Sequence, residues 1–215
     1  MSRIIAGSRG GRRIAMPPGD RTRPTTDRVR EAVFSAIAAW AGTAAGSAEE
    51  SLAGLAFCDL YAGSGAVGLE AASRGAGPVL LVERDRRTAQ LARDNAKALG
   101  LVVELVVSSV EHVVRRPPNQ VFDVIFADPP YDVETTTVNA QLEQLVANRW
   151  VGSDSLIVVE RSRRTPELTW PKAAAKRWSR AYGETTLSFG SLEGSSGPGE
   201  PWRAEQSAPD RAPPC

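Results

Sequence analysis

Short apolar runs and helical apolar stripes alternate along the middle of this chain of 215 residues. Five of the apolar runs have the length and the Val, Ile and Leu content of buried strands. Between them, apolar residues recur at the spacing typical of helices that pack on a sheet. This order predicts a doubly wound α/β fold with a mainly parallel sheet. The predicted strands are residues 56–61, 79–82, 101–107, 121–126 and 156–160.

A terminal hairpin is predicted downstream of this alternating core. Residues 178–181 and 185–189, joined by Gly183, have the pattern of two antiparallel strands on a sheet edge. They bring the predicted sheet to seven strands. From residue 191 onward Gly, Ser, Pro and charged residues predominate, so we expect residues 191–215 to form a disordered tail.

The N-terminal part of the chain is predicted to form a small extension. Apolar stretches over residues 3–7 and 12–16 flank the turn signal Gly10-Gly11, which predicts a weakly packed β-hairpin. Apolar residues at helical spacing then lead to Trp40. We therefore expect an extension over residues 1–24 and a globular domain over residues 25–190.

Charge is distributed unevenly along the chain. The net charge is +1, but residues 1–31 contain eight arginines against three acidic residues, which gives this segment +5 and the remainder −4. A basic arm on a slightly acidic body fits a surface for a phosphate backbone. It also fits a solvated N-terminus, and charge alone leaves both interpretations open.

Composition argues against several locations and kinds of site. No apolar run approaches the roughly 18 residues of a membrane span, and the Arg-rich start lacks the apolar region of a signal peptide. We therefore expect a cytoplasmic protein without membrane contact. Cys58 lies in a predicted buried strand and Cys215 is the last residue, so no disulfide is expected. His112 has no Cys or His neighbours in the sequence, and we expect no metal site.

Asp128-Pro129-Pro130-Tyr131, directly after the fourth predicted strand, carries the first candidate chemistry. Proline fixes φ at about −65° and lacks an N–H, so a stiff turn leaves carbonyl oxygens free beside a carboxylate. The tyrosine offers a face for stacking, which is typically worth ~1–3 kcal/mol per base. Because open α/β sheets bind ligands at the carboxyl ends of their strands, this segment predicts a site for a planar substrate with an amino group.

A glycine-rich loop after the first core strand is the second candidate functional segment. Asp59 lies near the strand end, and Gly63, Gly65 and Gly68 lead into the next helix. Glu83, at the end of the second strand, is suited to accept from two ribose hydroxyls. The glycine spacing also matches the fingerprint of NAD-binding proteins. However, Asp59 would repel a pyrophosphate and pair with an ammonium group, and NAD does not account for the Asp-Pro-Pro-Tyr segment.

S-adenosylmethionine satisfies these observations, because it carries an ammonium, a ribose and an adenine and lacks phosphates. Asp59 and the loop backbone would hold its methionine part, Glu83 the ribose and Ser109-Val110 the adenine. The expected reaction is methyl transfer to an exocyclic amine, with Asp128 and Pro129 accepting its two N–H bonds. The residues predicted to contact the cofactor are Asp59, Tyr61, Gly63, Ser64, Gly65, Glu83, Arg84, Ser109, Val110 and Asp128, and those predicted to act in catalysis are Asp128, Pro129, Pro130 and Tyr131.

Further stretches of the chain are Arg3-Ile4-Ile5-Ala6-Gly7, Arg23-Pro24-Thr25-Thr26-Asp27-Arg28-Val29-Arg30-Glu31, Asp59-Leu60-Tyr61-Ala62-Gly63-Ser64-Gly65 and Gly68-Leu69-Glu70-Ala71. Together with Asp128-Pro129-Pro130-Tyr131, these stretches resemble the bacterial 16S ribosomal RNA guanine-N2 methyltransferase family of the RsmD type. The resemblance covers about residues 3–190. It implies a Rossmann-like class I methyltransferase fold and N2 methylation of one guanine, family position 966, by S-adenosylmethionine.

The resemblance also implies that the N-terminal segment engages RNA. We expect a monomer that acts on 16S rRNA within the 30S subunit or a late assembly intermediate. Because Asp-Pro-Pro-Tyr suits guanine, adenine and cytosine amines alike, a DNA adenine-N6 or cytosine-N4 methyltransferase remains the main alternative. An NAD-dependent oxidoreductase is a more distant one. The residues expected to contact RNA are Arg3, Arg9, Arg12, Arg13, Arg21, Arg23, Thr25, Thr26, Arg28 and Arg30.

Overall fold

The computed structural model describes residues 2–17 and 26–192 of the chain. Strands and helices alternate over this part in the predicted order. No helix within these two ranges is long and apolar enough to cross a bilayer. The strands are β1 Ser2–Arg3, β2 Arg13–Ile14, β3 Phe57–Asp59, β4 Val79–Glu83, β5 Glu104–Val107, β6 Phe122–Ala127, β7 Val151–Ser162, β8 Ala174–Tyr182 and β9 Thr185–Leu192, and the helices are α1 Asp27–Trp40, α2 Ala66–Ser73, α3 Arg86–Leu99, α4 Val110–Val113 and α5 Thr135–Ala147.

Seven of these strands form one sheet in the order β5-β4-β3-β6-β7-β9-β8. The first five strands of that order run parallel, whereas β9 runs antiparallel to both β7 and β8. The predicted doubly wound sheet with a C-terminal antiparallel hairpin is therefore confirmed. β3 and β6 are neighbours although they are not consecutive, so the strand order reverses between them. Open α/β sheets bind their ligands at such a reversal, at the carboxyl ends of the strands.

Some strand boundaries differ from the predicted ranges. β7 begins at Val151 rather than at residue 156, because Val151 pairs with Phe122 ahead of a register shift in the ladder. β9 extends to Leu192, past the expected domain end at residue 190. Residues 193–215, which we expect to form a disordered tail, lie outside the described residues.

Apolar side chains cover both faces of the large sheet. On one face α1 and α2 pack against β3, and Phe34 stacks on Phe57 with ring centroids 6.2 Å apart. On the other face α4 and α5 contribute the cover, and Phe122 stacks on Trp150 at 5.8 Å. Burying a side chain of this kind stabilises a fold by ~1.5–3 kcal/mol. The core therefore fixes the strand ends on which the candidate site is built.

β1 and β2 form a separate antiparallel hairpin that docks firmly on the domain. Ile4 and Ile14 are buried against Leu69 of α2. The Glu70 carboxylate, also on α2 and fully buried, accepts a hydrogen bond from the Ile5 N–H at 2.6 Å. The expectation of a weakly packed hairpin is wrong, since its anchors are residues distant in sequence that a local pattern does not reveal.

Candidate active site at the ends of β3 and β6

The Asp-Pro-Pro-Tyr segment leaves the carboxyl end of β6 and forms a tight turn. The Val133 N–H donates to the Pro130 carbonyl at 3.0 Å and closes this turn. Pro129 is buried, whereas Tyr131 is 70% exposed, so its ring is accessible for stacking. The turn and the end of β7 surround a pocket of about 20 Å³. The pocket is lined by Asp128, Pro129, Tyr131, Glu160, Arg161, Ser162 and Thr185.

Asp59, the last residue of β3, lies at the neighbouring strand end and is only 1% exposed. Its Oδ2 accepts from the Gly68 N–H at 3.0 Å. Its Oδ1 is buried and has no hydrogen-bond partner among the residues that the structure describes. Burial raises the pKa of Asp59 to about 7, and the nearby carboxylates of Asp128 and Glu83 also raise it, against the effect of the Gly68 and Tyr61 backbone N–H groups, which lower it. A cation that reached Oδ1 would be stabilised there, whereas a phosphate would be repelled.

The glycines between β3 and α2 hold a loop of fixed shape. Gly63 and Gly65 have φ values of 55° and 84°, in the left-handed region that favours glycine. A Cβ on Gly68 would lie 2.1 Å from Leu81 Cδ2, so a larger residue here would require the Leu81 side chain to shift where α2 packs on β4. The Gly63 N–H donates to Glu83 Oε2 at 2.9 Å. The loop is therefore tied to the end of β4, beside Asp59.

Glu83 and Ser109 lie at the carboxyl ends of the next two strands, as expected for residues that contact a nucleoside. Glu83 Oε1 accepts from the Asp85 N–H at 2.8 Å, and a carboxylate with two backbone donors retains further lone pairs for ribose hydroxyls. Arg84 is exposed beside it. Ser109 caps α4, and Val110 is buried. The structure thus brings the predicted cofactor residues to one edge of the sheet.

Two further predicted cofactor residues already have partners within the protein. The Tyr61 hydroxyl donates to Gln141 Oε1 at 2.8 Å, and burial raises the pKa of Tyr61 to about 12. Tyr61 therefore offers a ligand its ring and its oxygen lone pairs rather than its proton. The buried Ser64 donates from Oγ to Met16 Sδ at 3.2 Å, which places the chain after β2 against the glycine loop.

Arg30 is predicted to contact RNA, but its side chain is fully buried. Its guanidinium donates to Ser2 Oγ at 3.1 Å and to the Arg3 carbonyl at 2.6 Å. It also pairs with Asp27 at 2.9 Å. The prediction that Arg30 contacts RNA is wrong, and its guanidinium holds β1 on α1 instead.

The remaining predicted RNA residues are spread over two ends of the hairpin. Arg3 and Arg13 are exposed cross-strand partners, and Arg3 pairs with Asp27 at 3.4 Å, next to the exposed Arg28 at the start of α1. These three arginines stay candidates for RNA contact.

Arg9 and Arg12 lie at the other end of the hairpin, where they donate to the Leu99 and Ala98 carbonyls at 2.6 and 3.3 Å. These carbonyls belong to the C-terminal end of α3. In a parallel sheet the connecting helix ends near the amino-terminal ends of the strands, so this end of α3 lies away from the pocket. Thr26 caps α1 by accepting from the Val29 N–H at 3.3 Å. Arg21, Arg23 and Thr25 lie outside the described residues.

Glu160 and Arg161 are pocket residues that the sequence interpretation missed. Both lie near the carboxyl end of β7 and line the pocket with Asp128. The signal that could have found them is the rule that selected Glu83, namely a charged residue at the carboxyl end of a predicted parallel strand. Among residues 2–17 and 26–192, no group of three or more His, Cys, Asp or Glu side chains could hold a metal ion.

Known proteins resemble this chain over most of its length. The family described as Conserved hypothetical protein 95 matches residues 2–191. The Ribosomal RNA small subunit methyltransferase D of Escherichia coli K12 is 34% identical over 74% of this chain and 73% of its own. The protein of the same name from Haemophilus influenzae is 33% identical over 78% of this chain and 82% of its own.

A solved structure is also similar. The Escherichia coli protein yhhF has a TM-score of 0.75 and 27% sequence identity, with 90% of this chain and 98% of that chain covered. The chain therefore belongs to the family described as Conserved hypothetical protein 95, which is the RsmD family of methyltransferases, as the resemblance in the sequence implies.

Proposed function

We propose that this chain transfers the methyl group of S-adenosylmethionine to the exocyclic N2 amine of a guanine in 16S rRNA. The observation that carries the proposal is the pairing of β3 with β6, which places Asp59 and the Asp128 turn at adjacent strand ends. The end of β6 offers the Asp128 and Pro129 acceptors for an amine, and the end of β3 offers the Asp59 acceptor for a cation. The names of the relatives support ribosomal RNA of the small subunit as the substrate.

The residues at this edge fit S-adenosylmethionine. Asp59 Oδ1 is a buried acceptor with no partner among the described residues, which suits the ammonium of the methionine part. Glu83 suits the ribose diol, and Ser109 with Val110 the adenine. The adjacent carboxylates disfavour a pyrophosphate, so an NAD-type cofactor fits poorly. When bound, S-adenosylmethionine supplies an electrophilic methyl group.

The residues of the chain supply orientation and electrostatic stabilisation. The Asp128 carboxylate and the Pro129 carbonyl accept the two N–H bonds of the amine and direct its lone pair out of the base plane. Positive charge develops on that nitrogen during transfer, and the same acceptors stabilise it. Tyr131 stacks on the base, while Pro130 keeps the turn stiff. The Asp128 carboxylate is also the acceptor for the proton that the methylated nitrogen loses.

The choice of guanine at family position 966 rests on the resemblance in the sequence. On the same ground we propose that the substrate is 16S rRNA within the 30S subunit or a late assembly intermediate. A monomer in the cytoplasm is the expected form. Asp128 and Pro129 alone would also serve an adenine or cytosine amine.

A methyl-transfer assay tests the proposed function. The protein is incubated with tritiated S-adenosylmethionine and with 30S subunits, free 16S RNA or DNA, and the labelled nucleoside is identified after digestion. We expect the label in N2-methylguanosine of 16S rRNA. Label in N6-methyladenine or N4-methylcytosine of DNA would favour the main alternative. Calorimetry in which NADH binds and S-adenosylmethionine does not would refute the cofactor.

Removing two exposed arginines, one on β2 and one at the start of α1, should weaken RNA binding. Arg13→Ala with Arg28→Ala removes two positive charges that the structure leaves accessible. Each lost phosphate contact should reduce the slope of log affinity against log salt concentration by ~0.7–0.9. Filter binding of 16S RNA over a salt series measures both the affinity and the slope.

A second pair of exposed arginines provides the control for this experiment. Arg116→Ala with Arg149→Ala removes the same charge from the surface near the start of β7. This surface lies at the amino-terminal ends of the parallel strands, whereas the pocket lies at their carboxyl ends. This variant should keep the wild-type slope. Equal slopes for both double variants would show that the N-terminal arginines bind RNA no more than any surface charge.

The affinity for S-adenosylmethionine should rise with pH up to about 7. The free protein holds the pKa of Asp59 at about 7 instead of its ordinary 3.8, and an ammonium at Oδ1 favours the ionised form. Binding below that pH therefore releases a proton, and the affinity gains at most about tenfold per pH unit. Above the pKa the dependence should flatten. Calorimetry in buffers of different ionisation enthalpy measures the affinity and the released proton.

Asp59→Asn supplies the comparison for the pH series. The variant should bind more weakly at pH 7 and lose the rise, since no carboxyl remains to titrate. The stability of the wild-type protein should change with pH in the opposite sense to its affinity for the cofactor. A raised carboxyl pKa makes the wild-type free energy of unfolding fall between about pH 4 and pH 7, and the variant should lack that fall. A wild-type pH profile retained by Asp59→Asn would contradict the assignment.

A further inference from the structure

Arg161 of β7 lies beside the acceptors of the pocket. Ala127 of β6 pairs with Val159 of β7, so the residues two positions further on, Pro129 and Arg161, are neighbours at the strand ends. Both line the pocket with Asp128. Arg161 is 7% exposed, and it is a cation buried at the point where the substrate amine is proposed to bind.

The Arg161 guanidinium has unused donors. Nη2 donates to the Val133 carbonyl at 2.7 Å. Nε and Nη1 are buried and have no hydrogen-bond partner among the described residues. A buried donor left unpaired destabilises the native state, and more so when it is charged, so such a group calls for a partner that is absent from the free protein.

The electrostatic surroundings keep this group suited to a polar ligand. Burial lowers the pKa of Arg161, while Tyr61 and Asp128 raise it. An arginine nevertheless stays protonated in proteins, so the pocket combines a fixed cation with carboxylate and carbonyl acceptors. Glu160, the residue before Arg161, adds a second carboxylate to the lining.

We propose that Arg161 donates to the O6 carbonyl of the target guanine and thereby selects guanine over adenine and cytosine. The inference rests on the proposed function and adds the means by which the base is chosen. The Watson–Crick edge of guanine presents two adjacent donors, the N2 amine and N1–H, followed by the O6 acceptor. Asp128 and Glu160 match the donors, and the guanidinium matches the acceptor. Adenine and cytosine place a ring-nitrogen acceptor next to their amine, which the carboxylates would repel.

A simpler role for Arg161 is to hold the turn after the Asp-Pro-Pro-Tyr segment through the Val133 carbonyl. The two roles differ in one measurable respect. A residue that only holds the turn affects every base equally when its amine is presented to Asp128. A residue that reads O6 affects only bases that carry O6.

The test compares guanine with 2-aminopurine, which keeps the 2-amino group but lacks O6 and has an unprotonated N1 in place of N1–H. Each base is introduced at the mapped target position of 16S RNA by ligation of a synthetic segment, and kcat/KM is measured for the wild-type protein and for Arg161→Met. The wild-type protein should prefer guanine by at least about 5-fold, because one good polar base contact provides about 5- to 150-fold and 2-aminopurine lacks both O6 and N1–H. Arg161→Met should slow transfer to guanine by about 5- to 150-fold, while its rate on 2-aminopurine stays within about twofold of the wild-type rate. The preference for guanine that the variant retains belongs to N1–H.

Two variants keep the test decisive. Arg163→Met removes an exposed arginine two residues further on and should retain the wild-type preference. Arg161→Lys keeps the charge with a different donor geometry and should give an intermediate preference, which provides a result if the methionine variant does not fold. Calorimetry with S-adenosylmethionine reports folding independently of the RNA.

Each outcome has a distinct meaning. An equal loss on both bases, no loss on either, or a wild-type protein that does not discriminate would each overturn the role of Arg161 and leave the methyltransferase proposal intact. Absence of transfer to any RNA guanine by the wild-type protein would instead overturn the proposed function.

Discussion

Replacing Asp128 by Ala is expected to slow methyl transfer by about 10²- to 10³-fold, which is the loss typical of removing one preorganised group that stabilises transition-state charge. Above about pH 7, where Asp59 is ionised in both proteins, the affinity for S-adenosylmethionine should stay within about threefold of wild type, because Asp128 acts on the amine chiefly in the transition state. Single-turnover transfer to 30S subunits measures the first quantity and calorimetry the second.

A side effect of the same substitution follows from the charges around Asp59. The Asp128 carboxylate is one of the groups that raise the pKa of Asp59. Its removal should lower that pKa below about 7 and shift the rise in cofactor affinity to lower pH. The variant therefore reports on transfer and on the coupling between the two strand ends in separate measurements.

Asp132→Ala is the matched control, since Asp132 is an exposed carboxylate just past the turn. It should transfer methyl groups at close to the wild-type rate. If Asp128→Ala retained more than about a tenth of the wild-type rate, the proposed role of its carboxylate would be refuted. If both variants failed equally, the effect would lie in the net charge of the segment.

The order of the core elements and the edge that carries the site could be predicted because both follow from local periodicity. Short Val-rich runs separated by helical stripes determine a parallel sheet, and the residues at the carboxyl ends of those runs then meet at one edge. Asp59, Glu83 and Asp128 were found in this way. Glu160 and Arg161 follow the same rule at the end of the fifth predicted run, but no motif drew attention to them.

The environment of the N-terminal arginines could not be predicted, since it depends on contacts between distant parts of the chain. Arg30 lies four residues before Phe34 on the buried side of α1. From the sequence alone an arginine is expected to be exposed to solvent. Its burial is compensated by Ser2, the Arg3 carbonyl and Asp27. Composition gives the charge of this segment, and only the fold tells which charges face the solvent.

Gly7→Ala is expected to detach the N-terminal hairpin from the domain, because the glycine faces a backbone carbonyl of α2. Unlike the end of a side chain, this carbonyl cannot move aside. A Cβ at this position would lie 2.0 Å from the Ser73 carbonyl oxygen, which itself accepts from the Ser8 N–H at 2.7 Å. Gly7 also has a φ of 80°. Relief of the contact requires movement of the turn away from α2 and loss of the burial of Ile4. We expect the free energy of unfolding to fall by about 1–3 kcal/mol more than the conformational strain alone explains.

Gly11→Ala isolates that strain. Gly11 has a φ of 78°, and nothing lies within 4 Å of the Cβ that would be added there. The two variants therefore share the cost of a left-handed alanine, which is roughly 1–2 kcal/mol, and differ in the clash. Urea unfolding gives the difference in stability, and limited proteolysis should cleave the segment before α1 faster in Gly7→Ala. Equal stability and equal cleavage of the two variants would mean that the close approach of Gly7 to Ser73 does not hold the hairpin on the domain.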